Sequence, residues 1–179
     1  VNYQGVLNGF QTFIPHMVEH GEESHLITTV SLAGLLPGSG TYGVSKHAVM
    51  ALTEAVRNDL LARGANVSVS ALCPGFVDTN IDRSERNRPS YLADPEVSLD
   101  KSGNSPVSQL LRRGKQPSEI ADIVFEAIKE GIFYILPHPA WDKMLNDRFE
   151  KMLSREPLPT PSQDTIARIF MPRDDGESY

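Results

Sequence analysis

Apolar residues recur every three or four positions in two long segments, which is the pattern of helices that bury one face. Within residues 1–20 the apolar positions include Val6, Leu7, Phe10, Phe13, Ile14, Met17 and Val18. Within residues 41–63 they include Val44, Ala48, Val49, Leu52, Val56, Leu60 and Leu61. Gly21 and Gly64 follow the two segments, and glycine is common just past the end of a helix. The pattern therefore predicts helices over residues 1–20 and 41–63.

Three short segments predict strands because they are rich in β-branched and other apolar residues. They cover residues 25–31, 67–72 and 132–136. A long helix between the first two makes a β-α-β crossover, and such a crossover joins parallel strands. The predicted fold class is therefore α/β, with a parallel sheet of about three strands and flanking helices.

The second half of the chain combines shorter helices with one long polar segment. Helices are predicted over residues 107–113, 117–131 and 140–153. Residues 78–105 are too long and polar for an ordinary connection, so they form either a lid over a site or an unstructured surface insertion. The residues that a lid would turn towards an apolar substrate are Ile81, Tyr91, Leu92, Val97 and Leu99.

Domain organisation follows from the same pattern, with one α/β domain over residues 1–155 and a Pro-rich polar tail over residues 156–179.

The formal net charge of −6 disfavours binding to nucleic acid or to an anionic membrane. Cys73 is the only cysteine in the chain, which is typical of a reducing compartment. With no long apolar span and no secretory signal in the sequence, we expect a soluble cytoplasmic protein.

His16, Glu19 and His20 spell H-x-x-E-H, a pattern also found in zinc peptidases. A zinc site would need a third ligand from a nearby element, and no later segment offers an obvious one. The solvated last turn of a surface helix is the favoured interpretation, and no metal is expected.

Candidate chemistry lies between residues 31 and 46. Tyr42 and Lys46 are four residues apart, so on a helix they share one face, one turn apart. An ammonium held beside a phenol favours the phenolate, which would let the tyrosine serve as a general acid or base. Ser31 ends a predicted strand, and the glycine-rich loop after it could return the hydroxyl towards Tyr42. Ligands of parallel sheets bind beyond the carboxyl ends of the strands, where Ser31 and Pro74-Gly75 are expected.

These residues resemble a known family when they are taken in order. Asn2 with Gly5 comes first, then Ser31, then Tyr42 and Lys46 in a Y-x-x-x-K pattern. The segment Pro74-Gly75-Phe76-Val77-Asp78-Thr79 completes the series. Each piece is common by chance, but the whole order resembles the short-chain dehydrogenase/reductase family over about residues 1–155.

The resemblance implies an NAD(P)-dependent oxidoreductase that interconverts a secondary alcohol and a ketone. Tyr42 would be the general acid/base, Ser31 would hold the substrate oxygen, and Lys46 would assist Tyr42 and bind the nicotinamide ribose. Asn2 would anchor the water of a proton relay through its backbone. The residues at the nicotinamide end of NAD or NADP would be Tyr42, Lys46, Pro74, Gly75, Val77 and Thr79.

The chain departs from the family in lacking the opening strand and the Gly-rich turn that cradles the pyrophosphate. We therefore expect the C-terminal part of a Rossmann-like doubly wound sheet, without the N-terminal βαβ units. An inactive fragment that serves only as a binding or dimerisation module stays open as an alternative. A nucleotide-sugar epimerase or dehydratase, which shares Y-x-x-x-K, is less favoured. Family members pair through helices like residues 1–20 and 41–63, which implies a homodimer or homotetramer.

Overall fold

The computed structural model describes residues 1–92 and 105–157. It divides into two compact units. The first holds residues 1–75 and the described residues from 120 onward, and the second holds the described residues between 76 and 119. In chain order the helices and strands are α1 (Asn2–His20), β1 (Ser24–Thr29), α2 (Gly40–Ala62), β2 (Val67–Leu72), α3 (Pro106–Arg112), α4 (Pro117–Lys129), β3 (Tyr134–Ile135) and α5 (Asp142–Ser154).

The three strands form a parallel sheet in the order β1-β2-β3, which confirms the predicted α/β class. The register pairs Ser24 with Val67 at one end of β1 and Thr29 with Leu72 at the other. Strand β1 ends two residues earlier than predicted. The backbone N–H groups of Val30 and Ser31 both donate to the Leu72 carbonyl, at 2.7 and 3.3 Å, so the regular ladder stops there.

Helices α1 and α2 cover one face of the sheet. Near the start of the strands, Leu60, Val67 and Val69 are buried and pack with side chains of α1. Near the carboxyl ends, a second buried cluster contains Val30, Val49, Met50, Ala71 and Cys73. The apolar stripes predicted for both helices thus form the core that holds the strand ends in place. None of the described helices is both long and apolar enough to cross a membrane.

The elements near the C-terminus are shorter than the sequence predicts. Ile132 donates its N–H to Ala127 and so completes the end of α4, and Pro137 ends the strand soon afterwards, leaving only Tyr134–Ile135 as β3. The helix predicted from residue 140 begins as a short 3₁₀ turn, Pro139–Trp141, and α5 follows it.

The second unit contains part of the long polar segment. Short 3₁₀ turns cover Ile81–Asn87 and Ser90–Leu92, and α3 begins after Ser105. Ile81, Tyr91 and Leu92 are exposed, whereas Val97 and Leu99 lie outside the described residues, so the lid stays a prediction. Almost all of the predicted tail also lies outside them, and the single domain over residues 1–155 stays a prediction.

Candidate active site

Tyr42 and Lys46 both lie near the start of α2, one turn apart. The Lys46 ammonium is 5.7 Å from the centroid of the Tyr42 ring. It also donates a 3.0 Å hydrogen bond to the carbonyl oxygen of Thr29, the last residue of β1. Tyr42 is 40% exposed. The structure thus places the tyrosine and the lysine together at the carboxyl end of the sheet, as the spacing predicts.

Burial shapes the electrostatics of Lys46. Desolvation of the charged form lowers the pKa of its ammonium from the usual value of 10.5, and interaction with Cys73 acts in the opposite direction. The shift follows from the position of Lys46 between α2 and the sheet, where water is partly excluded.

Ser31 has an unusual backbone conformation directly after β1. Its φ of 118° and ψ of 152° belong to a region that residues with a side chain rarely occupy. Its hydroxyl accepts a 3.2 Å hydrogen bond from the Ala33 N–H and lies 3.5 Å from the Pro74 carbonyl, to which it can donate. The bend turns Ser31 out of the sheet towards the end of the neighbouring strand.

The loop after Ser31 lies close against α2 at Lys46. A Cβ at Gly34 would come 2.5 Å from Cγ1 of Val30 and 2.8 Å from the Lys46 carbonyl oxygen. Only a residue without a side chain allows this approach. Gly34 therefore fixes the loop that carries Ser31 against the helix that carries Lys46.

Pro74 and Gly75 follow β2 and are tied to the same loop. The Leu32 N–H donates to the Pro74 carbonyl at 3.0 Å. The Gly75 N–H donates to Nδ1 of His138 at 3.1 Å. The ends of β1 and β2 are thus joined by hydrogen bonds beyond the regular ladder, and Ser31 and Pro74 meet there.

Asn2 begins α1, and its side chain reaches α2. Its amide donates at 3.1 Å to Oγ of Ser45, which in turn donates at 2.7 Å to the Tyr42 carbonyl oxygen. An open cleft of about 490 Å³ lies here; its lining residues are Val1, Asn2, Tyr3, Gln4, Thr41, Tyr42 and Ser45. Asn2 is therefore linked to Tyr42 through its side chain, while the predicted backbone role with water stays a prediction.

Val77 and Thr79 belong to the second unit. Val77 forms an isolated parallel β-bridge with Lys115, and the Asp78 N–H donates to the Lys115 carbonyl at 2.9 Å. Gly114 lies directly against this segment, since a Cβ there would come 2.5 Å from the carbonyl carbon and oxygen of Phe76. The backbone around Val77 is therefore fixed locally, and the cofactor contacts of Val77 and Thr79 stay predictions.

Two contacts of the site residues were not foreseen from the sequence. Ser45 precedes Lys46 and links Asn2 to Tyr42, but a serine on a helix carries no specific signal. His138 contacts Gly75 from far along the chain, and its only signal is the short Pro-His-Pro sequence at residues 137–139.

The H-x-x-E-H pattern forms no metal centre in the part of the chain that the structure describes. Within those residues no group of three or more histidine, cysteine or acidic side chains is placed to hold a metal ion. His20 uses Nδ1 to accept a 3.1 Å hydrogen bond from the Glu22 N–H, which is a local contact at the end of α1.

Comparisons with known proteins show which proteins this chain is similar to. The family model described as short chain dehydrogenase matches residues 1–90. A CLA biosynthesis dehydrogenase/reductase of Lactiplantibacillus plantarum is 30% identical over 161 residues, covering 86% of this chain and 56% of that protein. A 1-deoxy-11-beta-hydroxypentalenate dehydrogenase of Streptomyces avermitilis is 34% identical over 177 residues, covering 96% of this chain and 58% of that protein.

Among solved structures, a short-chain dehydrogenase/reductase from Burkholderia phymatum in complex with NAD superposes with a TM-score of 0.81. It is 38% identical, and the match covers 90% of this chain and 59% of that one. The chain thus spans less than two thirds of the length of each of these relatives.

Proposed function

Because the chain belongs to the short-chain dehydrogenase family, we propose that the protein interconverts a secondary alcohol and a ketone with NAD or NADP. The observation that carries this proposal is the pairing of Lys46 with Tyr42, at 5.7 Å from ammonium to ring centroid, beside the end of β1. Ligands of open parallel sheets bind beyond this edge. The alternative of a non-catalytic module does not account for a partly desolvated lysine beside an exposed phenol.

The residues present fit the nicotinamide end of a dinucleotide. An ammonium has three N–H donors, and in the described structure Lys46 uses one of them for Thr29, which leaves two for ribose hydroxyls. Pro74, Gly75, Val77 and Thr79 would hold the nicotinamide end. The cofactor, when bound, supplies the hydride chemistry. The similar Burkholderia phymatum protein binds NAD, which supports the same class of cofactor here.

Side chains of this chain would bind the substrate oxygen and transfer its proton. The Ser31 hydroxyl would donate to the oxygen of the ketone and fix its position. The Tyr42 phenol would give a proton to that oxygen in reduction and take it back in oxidation, which is general acid/base catalysis. The Lys46 ammonium, 5.7 Å from the centroid of the Tyr42 ring, would assist this proton transfer, and Asn2 would connect the site to water.

Self-association through α1 and α2 is part of the proposal. Both helices expose large apolar side chains, with Phe13 58%, Val44 72% and Leu61 59% exposed. A second copy of the chain would remove this surface from water, and a homodimer or homotetramer would result. Sedimentation should show a dimer or larger species, and replacement of Phe13 and Val44 by Glu should shift it towards monomer.

The decisive experiment compares Tyr42→Phe with Tyr3→Phe in the full-length gene product. The two tyrosines are equally exposed, at 40% each, so the variants remove phenol groups from residues of matched exposure. We expect Tyr42→Phe to lower kcat by about a hundredfold or more while NAD or NADP still binds, and Tyr3→Phe to retain activity. Near-normal turnover in Tyr42→Phe would contradict the proposal.

A further inference from the structure

Resting on the proposed function, we propose that His138 is a positioning residue that fixes the Pro74-Gly75 turn at the nicotinamide end of the site. His138 lies outside the sequence pattern that defines the candidate catalytic residues. It is 63 positions from Gly75 in the chain, and yet its Nδ1 accepts the Gly75 N–H at 3.1 Å.

The environment of His138 defines its chemical form. The side chain is only 2% exposed, and Pro137 and Pro139 restrict the backbone on either side of it. A ring nitrogen that accepts a hydrogen bond carries no proton, so the proton of the neutral ring is on Nε2. The backbone N–H of Trp141 donates to the His138 carbonyl at 3.1 Å and so holds the histidine backbone in the short turn before α5.

Gly75 has little freedom to move away from this hydrogen bond. A Cβ at Gly75 would come 3.3 Å from Leu32, 3.3 Å from Trp141 and 3.4 Å from Cγ of His138. These side chains enclose Gly75 from the β1 side and from the turn before α5. The imidazole therefore holds the N–H side of the peptide between Pro74 and Gly75, while the Leu32 N–H holds its carbonyl side.

The orientation of that peptide matters most for the cofactor. Pro74 and Gly75 are proposed to contact the nicotinamide end, whereas proton transfer belongs to Tyr42. A loosened turn should therefore raise the KM for the dinucleotide more than it lowers kcat. If His138 only filled space, the KM for the dinucleotide would depend on the volume of the side chain at this position. If His138 positions the turn, the KM depends on the hydrogen-bond acceptor Nδ1.

The test separates these two actions with His138→Asn and His138→Leu in the full-length gene product. The Asn side-chain oxygen can take the place of Nδ1 as acceptor, although Asn is smaller than His. Leu keeps more of the volume and has no acceptor. We expect the KM for NAD or NADP to rise about tenfold in His138→Leu and to stay within about twofold of wild type in His138→Asn, because a lost hydrogen bond costs about 1.4 kcal/mol.

Hydrogen exchange at the Gly75 amide gives a second readout that needs no cofactor. Exchange should be faster in His138→Leu than in wild type, and slow in His138→Asn. Long-range ¹H–¹⁵N spectra of wild type should show the Nε2–H tautomer of His138. The Nδ1–H tautomer, equal exchange in both variants, or a higher KM in His138→Asn than in His138→Leu would overturn the role of His138.

The two proposals fail in different ways. If wild type binds neither NAD nor NADP, the proposed function is wrong. The exchange experiment then still decides whether His138 fixes the turn. If wild type is active and the Gly75 amide exchanges equally in the two variants, the proposed function stands and the positioning role is wrong.

Discussion

The Lys46 ammonium donates to the Thr29 carbonyl at 3.0 Å and so joins α2 to the last residue of β1. The strand end, rather than water, therefore helps to hold the lysine beside Tyr42. The arrangement keeps a charged group in a partly desolvated place, and this is the main reason that its pKa lies below the usual 10.5. The proposed catalytic lysine is thus positioned by the backbone of the sheet.

The first prediction concerns how Lys46 affects stability as pH changes. Between the lowered pKa of Lys46 in the folded chain and its usual value of 10.5, the unfolded chain binds more protons. Stability contributed by this group therefore rises with pH in that window. The free energy of unfolding of wild type, relative to Lys46→Met, should increase as the pH rises through this window towards 10.5, measured in urea titrations. A constant or falling difference would contradict the desolvation of Lys46.

The second prediction uses the strained backbone of Ser31, whose φ is 118°. Ser31→Gly and Ser31→Ala both remove the hydroxyl, so both should lose most of the turnover proposed for the site. Glycine accepts this conformation easily, whereas alanine does not. Ser31→Gly should therefore be more stable than Ser31→Ala by about 1 to 2 kcal/mol, measured by urea unfolding. Equal stabilities would show that the bend relaxes without cost.

Much of the fold could be predicted because the apolar spacing is regular. Residues 1–20 and 41–63 have one apolar face each, and the structure confirms both helices within one or two residues. The predicted ends of the strands are less accurate, because a strand ends where its hydrogen bonds to neighbouring elements stop. Val30 continues the β-branched pattern and Ser31 follows it directly, but the N–H groups of both residues donate to one carbonyl, that of Leu72. Ile132 lies in the segment that the composition predicts as a strand, but its N–H donates to the Ala127 carbonyl at the end of α4.

The candidate site also combines contacts that the sequence predicts with contacts that depend on tertiary structure. The pairing of Tyr42 with Lys46 follows from a four-residue spacing on one helix, so the sequence contains it. The contact between Gly75 and His138 joins residues 63 positions apart, and only the sheet and the turn before α5 bring them together. The strain at Ser31 also arises from tertiary contacts, because serine has no intrinsic preference for a positive φ.

The third prediction concerns the reactivity of Cys73, which is fully buried in the core cluster beside β2. Desolvation is the main cause that raises the pKa of its thiol from 9.0 to about 12. Because the thiolate is the reactive form, native Cys73 should react with an aromatic disulfide at pH about 8 roughly a thousandfold more slowly than in urea. Absorbance of the released thiol measures both rates, and fast labelling of the native chain would contradict the buried position.

The fourth prediction tests the close approach of Gly114 to the segment proposed to contact the cofactor. A Cβ at Gly114 would come 2.5 Å from the carbonyl of Phe76 and 2.8 Å from the Val77 nitrogen, and these backbone atoms must shift to admit it. Gly114→Ala should therefore destabilise the protein by about 1 to 3 kcal/mol and raise the KM for the dinucleotide. Gly9→Ala is the matched control, since a Cβ there meets nothing within 4 Å and alanine favours the helix. Equal thermal midpoints and KM values in the two variants would show that the backbone position of residues 76–79 does not depend on the absence of a side chain at Gly114.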